Sequence, residues 1–489
     1  MKLLKTIWAL AIALMLCATA IHAQDQKEDP RSVTPASPIP PLDSGGSNGF
    51  GKAPVPAARG VSSAYDLQSN DPAQVEPDTN TLSGAELLGV GSLQHSRNIF
   101  DPALSFSQLG QSEAIGPAGQ SALQAVTIFG GSLNFNRIWS RYHFTATYNG
   151  GETLNQGPIP NQSFHNLAVA QEIDWERWRL HLRDEFAATP AAIFGGAGMG
   201  GPGLIGQFPS MLGSPLNNLG QGFAPSETIQ TGQAMRYLNT VLGEAEYSFS
   251  RRSAFTFAGS YGILHFADAG YINSSNINAQ AGYDYLLDPK DSIAILASYG
   301  KIDYTGTAIS TANYGAAFAF GRKITGRLAF QAAAGPELIR SVGTPNGNFQ
   351  IWTELVNSAL TYQRRRSGFS LTFTRGLTGG SGVLFGALSN TFSGSLHHQF
   401  TRYWSGSANS GYAFNRSLSA AGGVTASFND WFIGANIGRQ VGRHAGISFN
   451  YGLLKQYNSI AACQVISCGV TGFQQSGGVT VNWHLRPVE

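Results

Sequence analysis

Residues 361–375 read Thr-Tyr-Gln-Arg-Arg-Arg-Ser-Gly-Phe-Ser-Leu-Thr-Phe-Thr-Arg, two alternating runs on either side of a basic turn. In the second run Phe369, Leu371 and Phe373 share one face and Ser370, Thr372 and Thr374 the other, the two-residue period of a strand with one apolar side. Pairing Tyr362 with Phe369 sets Leu360 opposite Leu371 and Thr361 opposite Ser370, so like meets like across the pair. The stretch predicts a β-hairpin turning at Arg364–Arg366. Whether its apolar face meets a protein core or lipid depends on how often the pattern recurs and on what lies between the repeats.

The pattern recurs over most of the chain. Tyr142, Phe144, Ala146 and Tyr148 alternate with His143, Thr145, Thr147 and Asn149; Phe255, Phe257, Tyr261 and Ile263 with Thr256, Ala258, Ser260 and Gly262. Further runs set Ile293 and Ile295 apart from Ser292, Leu388, Phe392 and Leu396 from Ser389, Thr391, Ser393 and Ser395, and carry Phe449, Tyr451, Val481 and Trp483 on one face. The second face is polar or very small.

The connections fall into two populations. Short ones carry Arg, Lys, Trp or Asp: Arg137–Ser140, Trp175–Trp178, Ser250–Ser253, Asp288–Asp291, Arg322–Thr325, Arg364–Arg366, Thr401–Trp404 and Val441–His444. Between them lie longer Gly/Ser/Asn/Pro loops, the longest spanning about residues 187–230. These eight short turns join sixteen strands, and Phe100–Gln108 and Gly477–Leu485 supply one more at each end. Eighteen strands are expected, with sixteen as the alternative. Ala421–Gln440 reads either as one long strand or as a hairpin turning at Asn429-Asp430.

Composition gives the setting. Charged residues make up 12% of the chain and glycine supplies 60 of its 489 residues, whereas a soluble domain carries roughly a quarter charged residues. Lys2 and Lys5 precede an apolar run to Ile21 and small residues before Gln24, which reads as a secretory signal peptide over residues 1–23. Leu16 stands where a lipid-modified Cys17 would need a small residue. Residues 24–95 are rich in Pro, Ser and Gly and read as a mostly disordered periplasmic segment, with one short helix near Leu82–Leu93. The strands occupy 96–489. Loss of Lys2 and Lys5 takes Lys+Arg from 31 to 29, equal to Asp+Glu at 29, a neutral balance that offers nucleic acid no partner. Cys463 and Cys468, four residues apart in an exported chain, are expected to form a local disulfide. A metal site is the alternative, though neither His nor acidic ligands lie nearby.

A soluble sandwich of this length would need several domains, and a propeller a period near forty residues; the pattern shows neither a linker nor such a period. The signal peptide, the alternating strands, the turn asymmetry and the aromatic cluster beside the short turns (Trp139, Tyr142, Trp175, Trp178, Tyr403, Trp404, Trp431) instead resemble outer-membrane β-barrel proteins of the general porin-like type. The resemblance covers about residue 100 to the end and is one of architecture. It implies an all-β, transmembrane antiparallel up-and-down barrel in the cell outer membrane, with outer-membrane lipids and the barrel-assembly machinery as partners and the Pro-rich segment in the periplasm. Such barrels commonly finish on an aromatic residue; Val479–Trp483 fits, but His484–Glu489 extend beyond it.

The inward face should carry function. The hairpin Asn166–Glu185 places Asp174 opposite Arg179 and Glu172 opposite His181, with Arg183 and Glu185 on the same strand; Arg236, Glu244 and Glu246 follow by parity on the next strand, and Asp284 on the strand after Asn273. Opposed charges in a narrow pore form a constriction that orients polar solutes; a bracing salt-bridge network is the structural reading of the same residues. The 187–230 loop, with Phe194, Met199, Phe208, Met211 and Phe223, reads as an inward constriction, an apolar lid or a surface loop. Arg251, Arg252, Arg322, Lys323 and Arg364–Arg366 suit lipid phosphates at the periplasmic rim. With no nucleophile elbow, phosphate loop or metal-ligand cluster, the expectation is a non-enzymatic channel for small polar solutes, without cofactor or metal. The alternative is a structural or adhesive surface barrel with a closed lumen. The oligomeric state is left open.

Overall fold

The computed structural model describes residues 99–115, 120–156, 161–189, 229, 234–344, 347–421, 424–442, 444–458 and 472–484. They form β1 (Ile99–Ile115), β2 (Gln120–Trp139), β3 (Tyr142–Asn155), β4 (Gln162–Asp174), β5 (Trp178–Thr189), β6 (Arg236–Ser250), β7 (Ser253–Phe266), β8 (Ser274–Leu286) and β9 (Asp291–Tyr304). The second half continues with β10 (Ser310–Thr325), β11 (Leu328–Val342), β12 (Phe349–Arg364), β13 (Ser367–Thr378), β14 (Ala387–Gln399), β15 (Trp404–Ala421), β16 (Val424–Val441), β17 (Ala445–Asn458) and β18 (Gly472–His484). Each strand pairs antiparallel with the next, and β1 pairs with both β2 and β18, closing one 18-stranded sheet.

The hairpin that predicted this fold forms in the expected register, with Tyr362 opposite Phe369, Leu360 opposite Leu371 and Thr361 opposite Ser370. Around the ring the alternation is inverted relative to a soluble protein. Ile295, Phe318 and Phe449 are more than half exposed while Thr311, Ser341 and Asn415 are fully buried. Exposed apolar and buried polar side chains on opposite faces of one closed sheet mean that the outer wall meets lipid.

All eight short turns lie at one end of the barrel. Three are capped by a short polar side chain at the turn's start, which accepts from the backbone two and three residues on. Asp288 takes the N–H groups of Lys290 (2.6 Å) and Asp291 (2.8 Å), and these donors hold its carboxyl below the usual aspartate range. Thr401 takes those of Tyr403 and Trp404. Thr325 takes those of Arg327 and Leu328, which moves the fifth expected turn, Arg322–Thr325, on to Gly326-Arg327: a bulge between Lys323 and Thr325 lets β10 run further. Aromatic pairs gird this end, including Trp139–Tyr142 (5.8 Å) and Trp178–Tyr247 (4.7 Å), with Arg439 over the Trp404 ring.

Of the two readings of Ala421–Gln440 the long strand holds and the turn at Asn429-Asp430 does not: Val424–Val441 is a single strand paired with β15 and β17. Three expectations need correction. Trp431 sits well up the wall rather than beside a short turn. Nor is the inner face uniformly polar. Leu109, Val126, Ile128 and Phe164 pack together on the inward parity of β1, β2 and β4, as do Ala413, Phe432 and Leu454 on β15–β17. The first and last strands are longer than Phe100–Gln108 and begin earlier than Gly477.

Closure is tight at the seam. A Cβ on Gly478 of β18 would lie 2.2 Å from the Gln108 carbonyl oxygen of β1, so only glycine permits this approach. A chain of inward polar side chains crosses the same region: Ser107 and Thr480 hydroxyls 2.8 Å apart, Asn450 Nδ2 donating to Thr480 Oγ1 at 3.0 Å, and Asn436 Nδ2 donating to Asn450 Oδ1. Asn450→Ala removes two of these bonds from a buried site and is expected to cost about 1–3 kcal/mol, read as a lower urea midpoint for the barrel in lipid vesicles. An unchanged midpoint would show that the chain of amides does not brace the seam.

Candidate functional site: the lumenal charge ladder and the mouth

The antiparallel register of β4, β5 and β6 stacks charged rows up one side of the lumen. Asp174, Arg179 and Glu246 form the row nearest the short turns; Glu172, His181 and Glu244 form the next; Arg183 and Glu185 stand higher on β5, and Arg236 near the far end of β6. The parity that exposes Leu182, Phe186 and Val241 to lipid turns all of these inward. Asp284 joins from β8, where it accepts from Thr256 Oγ1 at 3.3 Å.

Arg179 is the centre of the lower rows. Its guanidinium contacts Glu246 (3.2 Å), Asp174 (3.3 Å) and Glu172 (3.7 Å). His143, inward on β3, completes the group at 3.5 Å from Glu172 and 2.9 Å from Asn136 Oδ1. Arg183 pairs with Glu185 along its own strand, and Arg236 donates to Thr189 Oγ1 at 3.2 Å. The sequence-predicted residues thus divide into a connected lower cluster (Glu172, Asp174, Arg179, Glu246), a register-opposed pair (His181, Glu244), a same-strand pair (Arg183, Glu185) and two outliers (Arg236, Asp284).

Exposure decides what a solute meets. Side-chain accessibility is 50% for Asp174, 26% for Glu185 and 23% for Glu172, against 5% for Arg183. Arg179 is as open as Glu172, at 25%, so the acidic lean of the wetted face rests on Asp174 and on the burial of Arg183 and Arg236. Sequence reading missed four inward groups: His143; Asp101, which pairs with His484 at 3.7 Å; Glu337, which accepts from Asn313 at 2.7 Å; and the fully buried Asp430. The His143 signal was present in the polar parity of Tyr142–Tyr148.

At the end opposite the short turns, residues 379–386 between β13 and β14 tie the mouth together. The Ile272 N–H donates to the Gly382 carbonyl at 2.8 Å, the Ile229 N–H to Ser381 Oγ at 3.2 Å, and the Leu418 N–H to the Gly386 carbonyl at 3.2 Å. Phe385 meets Tyr304 edge-on at 5.3 Å. Gly382, at φ +75°, lies against Phe266, where a Cβ would come within 2.2 Å of the ring. One loop thereby joins β7–β8, β9 and β15, together with Ile229, which is fully buried against lumenal Ala387 and Phe428. Ile229 is the described end of the long 187–230 loop; Phe194, Met199, Phe208, Met211 and Phe223 lie outside the described residues. So do Cys463, Cys468 and residues 1–98.

A closed antiparallel ring with an apolar outer wall, an interfacial aromatic girdle and a polar, charged interior defines an outer-membrane β-barrel of porin-like type. No protein-family model matches the sequence, and no curated protein matches it. Among solved structures the chain is similar to Pseudomonas aeruginosa OccK2 (OpdF), with TM-score 0.40 and 9% identity over 79% of this chain and 97% of that one. It is also similar to OpdK of the same organism, crystallised with vanillate (0.39, 9%, 80% and 99%), and to OccK5 (OpdH) (0.37, 11%, 80% and 98%).

Removing the shared cation tests how the lower cluster acts. Arg179→Gln leaves Glu172, Asp174 and Glu246 without their common partner, and the cation-over-anion permeability ratio in a planar bilayer is expected to rise severalfold. A ratio equal to wild type, with the variant folded, would place the cluster outside any conducting path.

Proposed function

We propose that the barrel is a porin-like, non-enzymatic channel for small polar solutes that favours cations. The observation that carries this reading is the acidic wetted face of the β4–β6 ladder. Glu172, Asp174 and Glu185 keep water-accessible carboxylates, whereas of the ladder's three arginines Arg179 is comparably accessible and Arg183 and Arg236 are buried. Opposed charges across neighbouring strands produce a transverse field, and an excess of one sign raises the local concentration of its counter-ion. In this reading Arg179 holds the carboxylates in place and also braces the wall, so the conducting and structural roles belong to the same residues. Neutralising Glu172 and Glu185 together (Glu172→Gln, Glu185→Gln) is expected to reduce cation preference about severalfold in single-channel recording, with Glu244→Gln/Glu246→Gln having the smaller effect because Glu244 is buried. Unchanged selectivity in both would sink the assignment.

A second reading is favoured by the mouth: the 379–386 loop and Ile229 support a barrel with a closed lumen and a structural or adhesive role. The two readings part on one measurement. Gly382→Val forces a branched side chain into the Phe266 ring at a positive φ and should free the loop. If the loop narrows a conducting path, unitary conductance rises above a non-zero wild-type level. Open-channel steps seen only in the variant would favour the closed barrel, and steps of equal size in both would exclude the loop from the path.

A further inference from the structure

We infer that the outer wall of β9–β12 carries a binding site for a phosphate-bearing membrane lipid. Lys301, Ala312, Arg340 and Gln350 lie in one cross-strand row, with the outward parity of Tyr299, Tyr314 and Trp352. With neighbouring strands about 4.8 Å apart, Lys301 and Arg340 stand roughly 10 Å apart on either side of Ala312, whose methyl leaves a depression between the two long cations. The row directly beneath is Tyr299, Tyr314, Leu338 and Trp352; Trp352 is 68% exposed and the two tyrosine rings are 5.3 Å apart. Farther down, Ile295 and Phe318 are exposed on the same wall.

The vertical order is cation, aromatic, aliphatic, which is the order of a lipid's headgroup, interface and acyl chains. Lys301 has a partner in Asp303 at 2.8 Å. Arg340 is exposed and has no hydrogen-bond or ion-pair partner among the described residues. An unpaired guanidinium on a wall that meets lipid is costly unless an anion meets it, and a phosphate accepts its fork of donors in the strong, charge-assisted manner. Gln350 flanks the pair with an amide that can donate to the headgroup, while the Asp303 carboxylate, an acceptor, holds the Lys301 ammonium in place. The site is independent of whether the lumen conducts.

Native mass spectrometry of the purified full chain in mild detergent, titrated with phosphatidic acid, tests the assignment. Wild type is expected to form a single lipid adduct. Lys301→Gln/Arg340→Gln should weaken it by about tenfold, and Ala312→Leu, which fills the depression without altering charge, should weaken it too. Diacylglycerol, which lacks the phosphate, should give no adduct. Each variant is first shown to be folded by its heat-modifiable electrophoretic mobility. Equal adducts in wild type and the folded double variant would overturn the proposal, as would inorganic phosphate binding as well as the lipid, which would mark an anion site with no lipid component.

Discussion

The structure depends on one requirement: in hydrocarbon no water is present to satisfy a backbone N–H or carbonyl, so a sheet that spans a membrane must have no free edge. The pairing of β1 with β18 meets it. Everything local at the seam serves that closure. Gly478 lets the β1 backbone approach within a distance that forbids a side chain, and the Ser107, Thr480, Asn450 and Asn436 side chains bond to one another across β1, β18, β17 and β16. A buried amide on an inner wall would be a liability alone; in a chain of satisfied partners it fixes register, because a one-residue slip would turn these groups toward lipid.

Most of the wall was legible in the sequence because a strand's two faces alternate with period two and the faces here meet opposite solvents. Phe369, Leu371 and Phe373 needed only parity to be sent outward, and Glu172, His181 and Glu244 only parity and register to be brought into one row. Legibility failed where parity was interrupted or where contacts were not local. Asn429-Asp430 is a turn-forming dipeptide, so the acidic residue suggested a break in β16; within the strand its parity is inward and it is fully buried. Apolar residues on the inner face, such as Leu109 and Phe164, broke the simple rule that the second face is polar. The mouth was not readable at all, since Gly382 meets Phe266 and Ile272 through the tertiary placement of the β13–β14 loop against the end of β7 and the loop that follows it. Of the candidate site, the rows of the ladder were legible and the ion pairs along a single strand, such as Arg183 with Glu185, were not.

Charge is distributed unevenly between sides and faces. Inside, the described ladder occupies β3–β8, with Asp174 its most accessible charge and Arg183 among its least. Outside, at the mouth end, the cations Lys301, Arg340 and Arg375 stand on β9–β13, Arg375 paired with Glu354 at 3.0 Å. The low overall charge of the chain, 12%, makes this placement informative. A barrel wall gives a charged side chain three tolerable positions: the wet lumen, the short-turn rim and the level of the lipid headgroups. Each of these sets falls in one of the three.

The two ends of the barrel solve different problems. At the short-turn end, Asp288, Thr325 and Thr401 close their turns by capping backbone within three residues, and each turn adds one backbone bond from the next strand, to the carbonyls of Lys290, Arg327 and Tyr403. At the mouth, stability comes from contacts between loops. Residues 379–386 satisfy the backbone of Ile272, Ile229 and Leu418, and in turn depend on Phe266 and Tyr304 for packing. Such an assembly is only as strong as its shared member. Among the described residues, a change at Phe266 or Tyr304 would therefore be felt across several loops at the mouth, whereas a change to a capping side chain at the rim acts first on its own turn.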